Sequence, residues 1–256
     1  MLGLELRDAL VEAVVVDDLG QVLARAAVEP AGDVGAAALK ALDDVADKSE
    51  GSVSLGVAAI NPESPSVSAV EKALAPKYGG TFLKKGATAS GTAAAVAEAW
   101  VGASQKIGDS VFFAVADHAT AGIVRGGVAT TGGHRRAALV AWLALNPVER
   151  EDYRKIGCLE AEVAAAGIVR RMVWRVKAGD HSSVVEAAGG HLSSVTLDQI
   201  FDAARQRDGV AISVVRETAK YLGMAAANLV AITDPEILVL GGIMATAADL
   251  FLEVVH

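Results

Sequence analysis

Residues 1–30 and 111–130 open in the same way, as short strands joined by tight turns. In the first stretch, Leu2-Gly3-Leu4-Glu5-Leu6 alternates, and Leu10 to Val16 is rich in β-branched side chains. The turn Asp17-Asp18-Leu19-Gly20 then leads to a third strand, Gln21 to Val28. In the second stretch, strands are expected at Val111 to Ala116 and Ala121 to Val124. Gly126-Gly127 makes a hairpin turn, and a third strand starts at Val128 to Thr130. A duplicated opening implies two related α/β halves facing a cleft, placed at residues 1–105 and 106–256.

The remaining segments fit that division. Val34 to Val45 reads as a helix, Val53 to Ile60 as a strand stopping before Asn61-Pro62, and Val67 to Leu74 as a short helix. A short strand is expected at Thr81 to Lys84, and an alanine-rich helix at Ala89 to Val101. In the second half, Pro147 to Lys155 reads as a polar loop, and Glu160 to Val173 as a single helix. Thr196 to Gln206 reads as a capped helix. Asp208 caps a long helix with apolar residues at Ile212, Val215, Ala219, Leu222, Ala226 and Leu229, broken at Asp234-Pro235. A strand, Ile237 to Leu240, then runs into Gly241-Gly242.

Composition narrows the class. Apolar residues make up 52% and aromatics only 4%, so the core must be built from Ala, Val and Leu. The net charge of −8 disfavours binding of nucleic acid by this chain itself. No apolar run approaches the roughly 20 residues of a membrane span, and no charged leader precedes an apolar stretch. Cys158, the single cysteine, fits a reducing compartment. A cytoplasmic protein with no membrane association is expected.

Several residues could carry chemistry, each with a plainer alternative. Gly241-Gly242 could bring backbone N–H groups to a phosphate, or could simply be a turn. Asp117-His118 could pair an acid with an imidazole, or could be a solvated turn. Ser90 reads as an N-cap of the alanine-rich helix. Arg135-Arg136 and Arg170-Arg171 read as solvated basic doublets. Cys158 has no second cysteine, and the five histidines show no metal-ligand spacing, so no metal is expected.

As a whole, the chain resembles the ROK family of bacterial sugar kinases, repressors and open reading frames. The resemblance rests on Gly157-Cys158-Leu159-Glu160 and on the helix Ala93 to Trp100. It rests also on Gly122-Ile123-Val124 before Gly126-Gly127, on Glu217-Thr218 to Asn228-Leu229, and on Asp234-Pro235-Glu236 before Val239-Leu240-Gly241-Gly242. It implies an actin/hexokinase/Hsp70-like (ribonuclease H-like) fold of two α/β halves around a cleft, and a homodimer.

The family's working residues are replaced. Its first phosphate hairpin aligns with Glu5 to Leu10 without glycines, and its second with Ala116 to Gly122, where Asp117 adds negative charge. Its catalytic Asn-Asp aligns with Ala89-Ser90, and its sugar-contacting Glu and His with Leu139 and Trp142. Its zinc cysteines fall near Glu151 and Tyr153, so neither zinc nor any other cofactor is expected. The chain also stops soon after the Val239 to Gly242 strand, where family members continue, so the second half reads as truncated.

A catalytically inactive domain is therefore expected, with a regulatory or dimerisation role related to sugar-responsive repressors and a possible sugar effector. Its pocket residues would come from Ser90, Asp117, His118, Glu160, Gly241 and Gly242. The alternative is an ATP- and Mg-dependent sugar kinase using Asp117 or Glu160 as base. A third possibility, a purely structural subunit, would fill the cleft with side chains, and Arg7 would then reach toward Asp117.

Overall fold

Residues 1–48, 54–79 and 86–255 are described by a computed structural model of the chain. They form two compact units, Met1–Lys106 and Ile107–His256.

In the first unit, β1 (Leu2–Leu6), β2 (Val11–Val16) and β3 (Val22–Val28) form an antiparallel meander. β4 (Leu55–Ala59) and β5 (Thr88–Ala89) extend it in parallel, giving the order β3-β2-β1-β4-β5. The period-two pattern works as expected: Leu2, Leu4, Leu6, Val11, Ala13 and Val15 all point into the core. Two helices cover that face, α1 (Val34–Ala46) and α2 (Pro65–Tyr78), contributing Leu42, Val45, Val70 and Leu74. Both have side-chain caps, Asp33 on the Ala36 N–H and Ser64 on the Val67 N–H. Burying a side chain such as Leu42 fully stabilises the unit by roughly 2 kcal/mol. α3 (Ser90–Val101) follows β5 directly. The strand expected at Thr81 to Lys84 lies outside the described residues.

The second unit repeats the scheme. β6 (Ser110–Val115), β7 (Ala119–Arg125) and β8 (Val128–Ala129) are antiparallel, and β9 (Ile237–Gly242) lies parallel to β6, giving β8-β7-β6-β9. In each unit the first strand of a meander thus takes a parallel partner on its free side. The core joins Phe113, Leu159, Ile168, Met172, Ile200 and Leu222.

The helices depart from expectation at two places. The segment expected to be a polar loop contains α4 (Glu151–Ile156). Glu151 and Asp152 sit in its first turn and Arg154 and Lys155 in its last, an arrangement that complements the helix dipole without any apolar stripe. The single helix expected over Glu160 to Val173 is two, α5 (Cys158–Val163) and α6 (Ala165–Lys177), broken at Ala164, whose backbone is extended. The break lets the backbone at Gly167 lie against the Ala161 carbonyl, where a Cβ would come within 2.3 Å.

Further along, α7 (Val184–Ala187) is a single turn. α8 (Leu197–Arg205) begins in a reciprocal capping box of Thr196 and Gln199. α9 (Gly209–Thr233) is capped by Asp208 and ends at Asp234, whose backbone is left-handed. β9 runs on into α10 (Ile243–Thr246) and α11 (Ala248–Val255). No helix among the described residues is long and apolar enough to cross a membrane.

Candidate functional site

Five of the six candidate residues gather at one end of the second sheet. The strands β6 and β7 are joined by the tight turn Ala116 to His118, closed by the Ala116 N–H donating to the His118 carbonyl at 3.0 Å. The Ala165 N–H, at the start of α6, donates to the Ala116 carbonyl at 3.0 Å and pins the turn from outside. Glu160, on α5, reaches the same turn. Its Oε2 accepts from the Ala119 N–H at 3.0 Å, and its Oε1 lies 3.1 Å from His118 Nδ1. Glu160 is buried, His118 half-buried and Asp117 exposed. A carboxylate beside an imidazole can hold a proton between them, and here the carboxylate is also committed to the backbone.

Gly241 and Gly242 pair with Ala114 and Val115. They were expected to follow the strand, but they complete it. Gly242 has φ +62°, and a Cβ there would lie 1.9 Å from the Val115 carbonyl oxygen, so packing alone demands glycine. Together, Asp117, His118, Glu160, Gly241 and Gly242 occupy the carboxyl end of the parallel pair β6 and β9, the customary binding edge of an open α/β sheet.

Ser90 belongs to the first unit, at the carboxyl end of β4 and β5. It is the first helical residue of α3, not its cap; that position falls to Ala89, which has no side-chain oxygen to offer. The Ser90 hydroxyl is buried without a hydrogen-bond partner. On the first hairpin, the four-residue turn Arg7 to Leu10 is closed by the Arg7 N–H on the Leu10 carbonyl at 2.9 Å. Arg7 pairs with Glu5 at 3.3 Å and Glu12 at 3.5 Å. Leu139 precedes a short 3-10 turn, Val140–Trp142, and both Leu139 and Trp142 are about half exposed.

One cluster escaped the sequence reading. Glu162, on α5 two residues beyond Glu160, is only 1% exposed. Its Oε2 lies 2.6 Å from Arg171 Nη2, and its Oε1 accepts from Arg150 Nη1 at 3.1 Å and from the Tyr153 hydroxyl. Arg171, expected on a solvated face, is buried. It also donates to the Glu162 carbonyl at 2.7 Å and to Thr218 Oγ1 at 2.8 Å. Asn146 Nδ2 donates to the hydroxyls of Tyr153 at 2.9 Å and Tyr221 at 3.0 Å. Burial, reinforced by the neighbouring Glu162 carboxylate, pushes the Tyr153 phenol well above its ordinary pKa. Arg170, the other half of the doublet, lies over the Trp174 ring and pairs with Asp152 at 2.8 Å. Only the unusual spacing of acids along an otherwise apolar α5 hinted at this network.

Cys158 is buried beside Tyr153 and Ala161. Among the described residues, no group of three or more His, Cys, Asp or Glu is placed to hold a metal ion. An open concavity of about 460 Å³ lies elsewhere on the second unit, lined by residues including Asp180, His181, Ser182 and Asp208.

Residues 84–256 match the family model described as "ROK family". The chain belongs to the ROK family. A glucokinase of Halalkalibacterium halodurans is 31% identical over 162 residues, covering 62% of this chain and 49% of that protein. The DNA-binding transcriptional dual regulator NagC of Escherichia coli is 28% identical over 163 residues, covering 63% of this chain and 39% of the regulator. The chain thus spans about half or less of the length of these curated relatives. A ROK family glucokinase from Streptomyces griseus, solved with glucose and AMPPNP, superposes with a TM-score of 0.80 at 21% identity, covering 100% of this chain and 86% of that one. A ROK family transcriptional regulator, a homologue of the E. coli MLC protein, gives 0.82 at 21% identity, covering 100% and 68%. At that identity the likeness shows the fold, and it is the actin/hexokinase-like fold expected from the sequence.

Proposed function

We propose that this chain is a non-catalytic ROK domain of the cytoplasm, a regulatory and dimerisation module that responds to a small sugar-like effector. The observation that carries the reading is Ser90. It stands at the head of α3, at the position aligned with the family's catalytic carboxylate, and its hydroxyl is buried and unpartnered. A serine hydroxyl does not accept a proton near neutral pH, and losing a general base costs about 10²- to 10⁴-fold in rate. Glu160, the nearest substitute in sequence character, is committed to the Ala119 N–H and His118. The glycine-free Arg7 to Leu10 turn and the exposed Asp117 further disfavour a triphosphate. Relatives include both kinases and repressors, so the choice rests on these residues.

The competing reading is a sugar kinase using Asp117 or Glu160 as base, favoured by the identity to a glucokinase. Titration calorimetry with MgATP, followed by ADP release across a panel of hexoses, separates the two. No binding up to millimolar ATP and no turnover are expected. Micromolar binding, or turnover abolished by Asp117→Ala, overturns the proposal. Light scattering on a sizing column tests the dimer: twice the chain mass of 26.1 kDa is expected, and a monomer at all concentrations removes that part of the reading.

A further inference from the structure

We propose that a metal-free clamp centred on Glu162 does in this chain the cross-linking work that cysteine-bound zinc does in the family, tying α5 to α4, α6 and α9. The donor set argues against zinc. Tetrahedral zinc needs four ligands, whereas the family's upstream cysteines fall near Glu151 and Tyr153. Glu151 is engaged by Lys155 on the exposed side of α4, and the Tyr153 hydroxyl donates to Glu162. The remaining cysteine, Cys158, packs as a small apolar residue against Tyr153 and Ala161.

The clamp joins α5 to three neighbouring helices. The Glu162 carboxylate takes Tyr153 from α4, Arg150 from just before α4, and Arg171 from α6. Arg171 extends the chain of contacts to Thr218 on α9, with Glu217 Oε2 3.7 Å from its Nε. Asn146 closes a second route, from Tyr153 to Tyr221 on the same helix. The charges cancel, two arginines against two glutamates, as a carboxylate this deeply buried requires. A zinc site joins segments through one ion; here α4, α5 and α6 are joined through one side chain whose two oxygens are both in use. Since Glu160 sits on the same short helix, the clamp also sets where the β6–β7 turn is held.

The test uses the full chain, purified without a metal-affinity step from cells grown with added zinc. Metal analysis is expected to find no more than about 0.1 zinc per chain, and EDTA is expected to leave Tm unchanged. One zinc per chain, or a Tm lowered by EDTA, overturns the proposal. Glu162→Gln is expected to lower Tm by about 10 °C, the effect of breaking a buried pair in a domain of this size. Tyr153→Phe is expected to lower it by a few degrees, and the double variant by less than the sum. Additive losses overturn the clamp, because the tyrosine would then act independently of Glu162. If Glu162→Gln does not fold, Tyr153→Phe and Arg171→Lys, which are linked through Glu162, form the cycle instead, and additive losses there overturn the clamp in the same way.

Discussion

Two glycines and one glutamate set the geometry of the site residue by residue. Gly157 (φ +94°) lies so close to the 3-10 turn that a Cβ would fall 2.1 Å from the Ala141 carbonyl oxygen; Gly242 is equally confined by Val115. Gly157→Ala and Gly242→Ala are each expected to destabilise the second unit by about 3 kcal/mol or more, read from urea unfolding. A loss under about 1 kcal/mol would show that the neighbouring backbone yields easily. Glu160 is different in kind, since it satisfies a buried N–H. Glu160→Ala is expected to cost about 1–3 kcal/mol and to speed hydrogen exchange at Ala119 above that of other β7 amides. Uniform exchange along β7 would count against a local role. The glycine at 157 was visible within a recognisable four-residue motif. The partner of Glu160 was not, because His118 lies 42 residues earlier in the chain and only the hairpin brings it back.

Elements were legible where the local signal matched the final burial. α9 shows this at its start. Burial by itself would raise the Asp208 pKa, but bonds from the Ala211 and Ser183 N–H groups and the Ser182 and Ser183 hydroxyls outweigh it and hold the carboxyl below its ordinary value. A depressed folded value means the stabilisation is present above the usual carboxylate range and disappears as pH falls through the folded value. Asp208→Ala is therefore expected to cost about 1–2 kcal/mol near neutral pH and progressively less below about pH 4. Urea midpoints of both proteins across that range check it, and a difference independent of pH would contradict it. At the other end of the chain, Phe251 of α11 meets Phe201 of α8 edge to face, with centroids 5.5 Å apart. Phe251→Ala is expected to lose about 3–5 kcal/mol by the same assay. α4 was missed because its signal is charge order, not apolar spacing. The break at Ala164 was missed because it answers a close approach of Gly167 that no local pattern encodes.

The whole molecule is built on one scheme used twice, each time with its own apolar core. Each sheet places its parallel pair, β1 with β4 and β6 with β9, so that the loops at the carboxyl ends are free for chemistry. In the second unit that edge carries Asp117, His118 and Glu160 beside Gly241 and Gly242. A net charge of −8 bears on partners at this scale. This chain is expected not to bind duplex DNA by itself at physiological salt, as followed by fluorescence anisotropy. Saturable binding that weakens steeply with salt would reverse that expectation.

Period-two and period-three-to-four patterns determined β1, β2, α1 and α9 without help, because the faces they bury are apolar along their own length. The duplicated opening pointed to two related α/β halves, while the family and its fold came from the resemblance carried by Gly157 to Glu160 and the other matching segments. Which polar groups meet was decided only in three dimensions. On one continuous helix, Glu162 and Arg171, nine residues apart, would be separated by roughly 13 Å along the axis and could not meet. The backbone break at Ala164 folds α6 back against α5 and puts them 2.6 Å apart in the interior, where an unpaired charge would not be tolerated.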